Sequence, residues 1–237
     1  MPVIGYWGHP PLTLLDHYRR GLGQGLVDLD VDMGHPETHV LPATYCRIIR
    51  NIVDNVLALK DELSLIIASV GEEKCDQGRF AALILRDMGF PVLETRNTGS
   101  AGRRRVSIAT SNLPLAEKVL RIMDTVHTPN TVSYRQCRPT VGYWGVPPHD
   151  LRLLDLFPTT THVYGWTRCV EAGCPADLEQ EMAVDEVVPT IFFAQAFCAK
   201  QQLAKYLAEK HGGLYIDADG QITTAIAARV EAFIRFA

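Results

Sequence analysis

Three cysteines share the sequence setting in which a thiol can do chemistry. Cys75 and Cys198 each follow a short apolar run and precede a helical pattern, and Cys46 directly precedes a long helical pattern. The first turn of a helix favours an anionic thiolate through its free N–H groups and its dipole. Open parallel sheets also bind ligands at the carboxyl ends of their strands. We therefore expect these thiols at ligand-binding edges; the alternative is that each is a small buried residue.

Three thiolates around one cleft can hold a zinc ion or an iron–sulfur cluster and leave one coordination position open. The long intervals between Cys46, Cys75 and Cys198 match no short ferredoxin motif, so their convergence would depend on the fold. Two other classes stay open. Cys75 and Cys198 could be the acid and base of a racemase or isomerase, or the protein could bind a metal or a small molecule without catalysis.

A repeated segment supplies two further candidate residues. The sequence GYWGHPP at 5–11 recurs as GYWGVPP at 142–148, and a Leu-Leu-Asp helix pattern follows each copy. The same motif at the same place in two strand–loop–helix units predicts two related halves. Trp7 and Trp144 are candidate substrate-binding residues. The alternative is that each tryptophan packs behind a turn that the double proline stiffens.

An arginine-rich loop is a candidate anion site. Residues 97–105, NTGSAGRRR, combine glycines that allow close backbone approach with the charges of Arg103 and the next two arginines. Such a loop can bind a phosphate or a carboxylate, so we assign Arg103 to substrate binding. The alternative is a solvated hairpin, because the loop matches no full phosphate-binding pattern.

The other polar clusters are predicted to be structural. The alternating aspartates at 28–32 lie in the glycine- and aspartate-rich stretch 21–36, and because no calcium-loop pattern follows them we predict that this stretch is a solvated loop. Cys137 is predicted to lie in a linker. Cys169 and Cys174 are predicted to lie in an irregular loop, and their spacing fits neither the usual zinc pair nor a redox pair.

Strand-like runs alternate with helical patterns along the chain, which predicts an α/β protein with parallel sheets. We expect two Rossmann-like three-layer lobes whose sheets face each other across a cleft. The boundary is predicted between an N-terminal α/β lobe, 1–135, and a C-terminal α/β lobe, 136–237. Strands are predicted at 63–70, 89–94, 162–164, 189–197 and 214–217, and helices at 47–61, 79–88, 113–126, 152–157, 178–187, 200–210 and 223–236.

The composition narrows the class of protein. A chain of 237 residues can build a core without disulfides, and 47% hydrophobic with 21% charged residues is typical of a globular protein. The net charge of -4 argues against nucleic-acid binding. No apolar run reaches the length of about 18 residues that spans a bilayer, so we expect no membrane association. The first residues lack the pattern of a secretion signal, so we expect a cytoplasmic protein with reduced cysteines.

The cysteine segments resemble a known family. One part of the chain resembles the first half of the 2-hydroxyacyl-CoA dehydratase and benzoyl-CoA reductase subunit family. This part consists of LPATYC at 41–46, a long helix, an apolar strand and then CDxxR at 75–79. Residues 145–155 resemble the start of that family's second lobe. The last part of the chain resembles the closing region of that family. It has Phe-Cys at 197–198, then a helix, and then, within 214–233, an acidic strand end followed by Arg-x-Glu-Ala-Phe.

This resemblance implies a function and a set of site residues. It implies two Rossmann-like lobes and a [4Fe–4S] cluster that Cys46, Cys75 and Cys198 hold and that passes single electrons to a small substrate. Independently of the resemblance, we assign Cys75 and Cys198 as candidate catalytic residues. The resemblance also implies that the chain works with a related subunit or a second copy of itself. An ATP-dependent activator would donate the low-potential electrons.

Overall fold

The computed structural model describes residues 2–99 and 102–236, and it has the α/β architecture that the sequence predicts. The chain forms two compact units, Met1–Ser100 and Ala101–Ala237. Among the described residues, each unit has one four-stranded sheet in which all neighbouring strands are parallel. Parallel strands need crossover connections, because the chain must return to the same end of the sheet before each new strand. None of the described helices is long and apolar enough to cross a membrane.

The N-terminal unit alternates strands with helices, and its strand order is β2-β1-β3-β4. A π-helical turn, His17–Gly21, continues the first helix. The strands are β1 (Val3–Trp7), β2 (Gly25–Asp28), β3 (Leu63–Ser69) and β4 (Val92–Thr95), and the helices are α1 (Leu12–Asp16), α2 (Arg47–Ala58) and α3 (Asp76–Asp87).

The C-terminal unit repeats this plan with strand order β6-β5-β7-β8. A 3-10 helix, Leu151–Leu156, follows its first strand. The strands are β5 (Gly142–Trp144), β6 (His162–Tyr164), β7 (Thr190–Gln195) and β8 (Leu214–Ala218), and the helices are α4 (Leu115–Asp124), α5 (Gly165–Ala172), α6 (Leu178–Met182), α7 (Gln201–His211) and α8 (Thr224–Phe236).

The repeated GYWG segments occupy equivalent places in the two sheets. Gly5 to Trp7 end β1, and Gly142 to Trp144 form β5. Each of these strands lies second in its sheet, between the edge strand that follows it in sequence and the third strand. The prediction of two related halves is therefore confirmed at the level of strand order and connection.

Helix α2 shows how the apolar pattern builds the core of the N-terminal unit. Ile49, Ile52, Val53 and Val56 recur at helical spacing, and each is at most 1% exposed. Strand β3 contributes Ile66 and its neighbours, whose side chains are also fully buried. The predicted stripe on α2 is thus buried, and this helix, which begins after Cys46, packs against α3.

Two interpretations of irregular structure are wrong. Residues 25–28 form β2, which pairs with β1, although the stretch was predicted to be a solvated loop. Its glycine and aspartate disfavour a strand, but the ladder to β1 outweighs that preference. Residues 165–172 form α5, although Cys169 was predicted to lie in an irregular loop. Gly173 ends this helix with a left-handed φ of 72°, a common helix stop.

The division between the units differs from the predicted boundary at 135/136. The units divide at 100/101, so α4 belongs to the C-terminal unit rather than to the N-terminal lobe. The reason is packing: α4 contacts α5, β6 and the 3-10 helix of that unit. The composition of the sequence located an irregular stretch and placed the boundary there. The unit to which α4 belongs is decided instead by the core in which the apolar face of this helix is buried.

Candidate functional site

The carboxyl edge of the N-terminal sheet brings most of the chemistry of that unit together. The parallel strands β1, β2 and β3 all end at this edge. Cys75 directly precedes α3, which follows β3, and Cys46 directly precedes α2, which leads into β3. Both cysteines are therefore N-cap residues of helices that start at the ligand-binding side of a parallel sheet.

A lysine–carboxylate pair fixes this edge. Lys74 Nζ lies 2.6 Å from Asp30 Oδ1, and the two side chains are only 11% and 13% exposed. The other carboxylate oxygen of Asp30 accepts the backbone N–H of Gly8, directly after β1. Asp28 Oδ1 in turn accepts the N–H of Asp30 at 2.9 Å. This network ties the ends of β1 and β2 to the segment that carries Cys75.

The close approach at this edge requires glycine at position 8. Gly8 has a φ of +72°, and a Cβ placed there would lie 2.8 Å from Ser69 Cβ. The left-handed conformation disfavours other residues even without that contact. Gly8, the last glycine of the first GYWG motif, thus allows the end of β1 to lie close to the end of β3.

Two thiols lie within electrostatic reach of the Lys74 ammonium. Burial lowers the pKa of Lys74, but the charges of Asp30, Cys75 and Cys46 outweigh it, so the pKa lies above its ordinary value. Burial, and then the charge of Cys75, also raises the pKa of Tyr45. Cys46 is buried and Cys75 is partly buried. The Lys74 ammonium is thus coupled to the charges of Asp30 and of both cysteines.

Two buried polar atoms at the strand ends have no hydrogen-bond partner among the described residues. They are Nε1 of Trp7, the last residue of β1, and Oγ of Ser69, the last residue of β3. Buried polar groups are usually paired. Unpaired groups at this edge are therefore places where a ligand or an ordered water would bind.

Asp28 is a proton-holding group at the same edge. Burial, and then the charge of Asp30, raises the pKa of Asp28 from 3.8 to about 7. A carboxyl group that titrates near neutral pH can donate or accept a proton in a reaction. Perturbed carboxyl groups of this kind cluster at functional sites, although structural ion-pair networks also produce them.

Folding stability should depend on pH through Asp28. Its folded-state pKa of about 7 lies above the ordinary 3.8, so the folded protein retains a proton that the unfolded chain releases. The contribution is complete below pH 3.8 and is lost as the pH rises to about 7. We expect urea titrations to show a free energy of unfolding that falls over this range in the wild type and falls less in Asp28→Asn. Equal slopes for the two proteins would contradict this assignment.

The C-terminal unit places Cys198 at the position that corresponds to Cys75. Strand β7 has the same place in its sheet as β3, and Cys198 lies between β7 and α7. The backbone N–H of Lys200 donates to Cys198 Sγ at 3.5 Å. Phe197, directly before the cysteine, has a φ of 59°, which is strained for an aromatic residue. Backbone strain of this kind is found at functional sites.

A second lysine–carboxylate pair lies beside this cysteine. Lys200 Nζ is 2.5 Å from Glu181 Oε1, and the Glu181 side chain is 6% exposed. Both units therefore combine a strand-end cysteine with a lysine held by a buried carboxylate. The sequence patterns did not identify these lysines and carboxylates as site residues. The one signal in the sequence was the charged run before Cys75.

The two tryptophans of the repeat lie in the cores of their units. Trp7 and Trp144 are both fully buried. Trp144 packs with Phe192 and Tyr164, and its Nε1 donates to the carbonyl oxygen of Glu181 at 2.7 Å. Trp144 thus has the packing role that the sequence left open, whereas Trp7 retains an unsatisfied N–H at the sheet edge.

The arginines of the predicted anion loop have different surroundings. Arg103 is largely exposed and pairs with Asp177. Arg104 is partly buried and donates to the carbonyl oxygens of Thr125 and Val170. Anion binding by Arg103 would therefore require a ligand to replace Asp177. Ser100 and Ala101, within the same predicted loop, lie outside the described residues.

The remaining cysteines, Cys137, Cys169 and Cys174, belong to the C-terminal unit, where Cys169 and Cys174 are buried. Within 2–99 and 102–236, no three or more His, Cys, Asp or Glu side chains form a group that could hold a metal ion.

No protein-family model matches the chain. No curated protein matches it significantly.

Proposed function

We propose that this chain is an iron–sulfur redox enzyme or subunit related to the 2-hydroxyacyl-CoA dehydratases. Cys46 and Cys75 would ligate a [4Fe–4S] cluster, and the family resemblance supplies Cys198 as the third ligand. The observation that carries the proposal is the pair of N-cap thiols beside the buried Lys74 ammonium at one edge of a parallel sheet. Such a cluster would supply single electrons to a small substrate.

The N-terminal edge supplies two of the three thiol donors that the proposed cluster needs. Neither Cys46 nor Cys75 uses its side chain to cap the helix that it precedes. Backbone N–H groups and a nearby cation stabilise the negative charge that thiolate ligands bring. The unpaired Oγ of Ser69 adds one more donor at the same edge.

The residues around the thiols have their own roles in this proposal. Lys74 offsets the charge of the thiolates, and Asp30 holds the lysine in place. Asp28, with a pKa near neutral, holds a proton that can move to or from a bound substrate. The working protein is proposed to be cytoplasmic, to pair with a related subunit or a second copy, and to receive electrons from an ATP-dependent activator.

Replacing the proposed ligands one at a time tests the assignment. We expect Cys46→Ser, Cys75→Ser and Cys198→Ser to lose most bound iron and acid-labile sulfide after anaerobic reconstitution, because a hydroxyl is a poor substitute for a thiolate ligand. Cys137→Ser is the matched control and should retain the wild-type content. Iron retention in all three ligand variants would contradict the proposal.

A second candidate is a cysteine-pair racemase or isomerase. It is favoured by one observation: Cys75 and Cys198 occupy corresponding positions, each beside a lysine–carboxylate pair. Such an enzyme would be free of iron and would exchange the α-hydrogen of its substrate with solvent deuterium. Deuterium incorporation into members of an amino-acid and hydroxy-acid panel by metal-free protein, lost in Cys75→Ala and Cys198→Ala, would support it over the cluster.

A further inference from the structure

The C-terminal unit contains a cavity that the proposed function does not use. Its volume is about 340 Å³, and it is lined by residues within 104–107, by residues 130–133 and by Glu171 of α5. None of these lining residues belongs to a strand of the sheet. Ligand sites usually have volumes of about 300–1,000 Å³, so the cavity has room for a small organic molecule.

Hydrogen bonds between the lining segments hold this cavity in one arrangement. Asn130 Nδ2 donates to Ser107 Oγ at 3.2 Å, and the backbone N–H of Ser107 donates to Glu171 Oε1 at 2.7 Å. The backbone N–H of Arg104 donates to the carbonyl oxygen of Ala172, at the end of α5, at 2.7 Å. A site that is held in place before binding loses less entropy when a ligand enters.

The lining carries more positive than negative charge. It contains the guanidinium groups of Arg104 and Arg105 and one carboxylate, that of Glu171. The Glu171 oxygens already accept the backbone N–H groups of residues 107–109. Arg104 is partly buried and donates to two carbonyl oxygens, whereas the exposed Arg105 guanidinium forms no ion pair or hydrogen bond within the part of the chain that the structure describes. The unpaired charge of Arg105 therefore favours an anionic ligand.

Three hydroxyl groups of the lining still have a hydrogen to donate. Ser107 is 7% exposed, and its Oγ accepts from Asn130, but among the described residues no acceptor takes its hydroxyl hydrogen. The exposed hydroxyl groups of Thr131 and Ser133 form no hydrogen bond within those residues either. A buried donor that loses water without gaining an acceptor costs free energy. The Ser107 hydroxyl group thus indicates an acceptor that occupies the cavity.

We propose that this cavity binds the phosphate group of a small phosphate monoester. Arg105 and Ser107 donate to the phosphate from one loop segment, and Thr131 and Ser133 donate from the other. Donors on two segments suit a tetrahedral phosphate, whose oxygens point in different directions, whereas a single guanidinium fork satisfies a planar carboxylate. The rest of the volume holds the organic part of the ester. None of the proposed cluster ligands takes part, so this inference does not depend on the proposed function.

Titration calorimetry of the full-length protein at low salt tests the proposal. The probes are glycerol 3-phosphate and glycerate, a carboxylate of similar size, and inorganic phosphate is the competitor. We expect glycerol 3-phosphate to bind about tenfold more tightly than glycerate, since a phosphate accepts more of the available hydrogen bonds. Inorganic phosphate should compete for the same site. If glycerol 3-phosphate does not bind, or binds no more tightly than glycerate, the proposal is overturned.

Two arginines of the same loop provide matched variants. Arg105→Gln should weaken the binding of glycerol 3-phosphate by about tenfold, since it removes a charge-assisted hydrogen bond. Arg103→Gln should change it by less than about twofold, because Arg103 pairs with Asp177 and is not among the lining residues. Both arginines are exposed, so both variants should fold. Equal binding by the wild type and Arg105→Gln would refute the assignment.

The hydroxyl groups supply an uncharged test of the same site. Thr131→Val with Ser133→Ala removes two donors and keeps the charge, so the binding of glycerol 3-phosphate should weaken by about tenfold while its salt dependence stays the same. In Arg105→Gln the salt dependence should fall as well. Unchanged binding in the hydroxyl variant would mean that the phosphate meets Arg105 outside the cavity, contrary to the proposal.

Discussion

Lys74→Met is expected to lower the free energy of unfolding of the N-terminal unit by about 3–5 kcal/mol, the usual cost of leaving one partner of a buried ion pair alone. The variant removes the cation that faces Asp30, while both oxygens of that carboxylate stay at the strand ends. Asp28 would then lie beside an uncompensated charge. The loss should be seen in urea titrations followed by a probe in this unit.

The exposed Lys60 provides the matched control for this change. Lys60→Met removes a lysine from the same unit at an exposed position, and its effect should stay within about 0.5 kcal/mol. The double variant Lys74→Met with Asp30→Asn should recover part of the loss, because the unpaired charge is gone. A change of under 1 kcal/mol in Lys74→Met alone, about the ceiling for an exposed pair, would show that the pair behaves like a surface ion pair.

Glu171→Gln should destabilise the C-terminal unit by about 3 kcal/mol, since it disturbs several charge-assisted hydrogen bonds in a buried place. The Glu171 carboxylate accepts the backbone N–H groups of Ser107 at 2.7 Å, Ile108 at 2.6 Å and Ala109 at 2.9 Å. A glutamine amide presents an NH₂ group where one carboxylate oxygen was, so at least one N–H would face another donor. It also removes the charge that lies near Arg104.

Hydrogen exchange gives the sharpest measurement of this second change. The amides of residues 107–109 should lose protection in Glu171→Gln and keep it in Glu209→Gln, which alters an exposed glutamate of α7. Unchanged protection at 107–109 would mean that the carboxylate is not the partner that holds this loop.

The elements with strong patterns could be predicted from the sequence. The apolar run of β3 and the stripe of α2 set their type and nearly their ends, and the repeated GYWG motif indicated two related sheets. The position of Cys75 and Cys198, each after a buried strand and before a helix, followed from the same patterns. These features are local in the sequence, so composition and spacing are enough to find them.

The parts that depend on long-range contacts could not be predicted. Strand β2 has glycine and aspartate where strands usually have branched residues, and only its pairing with β1 makes it a strand. Asp30 and Lys74 are far apart in sequence, so their ion pair is set by the fold. The same holds for Arg105, Thr131 and Glu171, which line one cavity but lie on separate segments of the C-terminal unit. Such a cluster cannot be recognised from the pattern of any single segment of the sequence.

The most direct test of the proposed function is the iron and acid-labile sulfide content of the protein purified without oxygen, read together with its visible spectrum. The account predicts iron and sulfide in equal amounts, a brown protein with a broad visible absorption band, and loss of both in Cys75→Ser. A colourless wild-type protein that binds neither iron nor sulfide, even after anaerobic reconstitution, would contradict it.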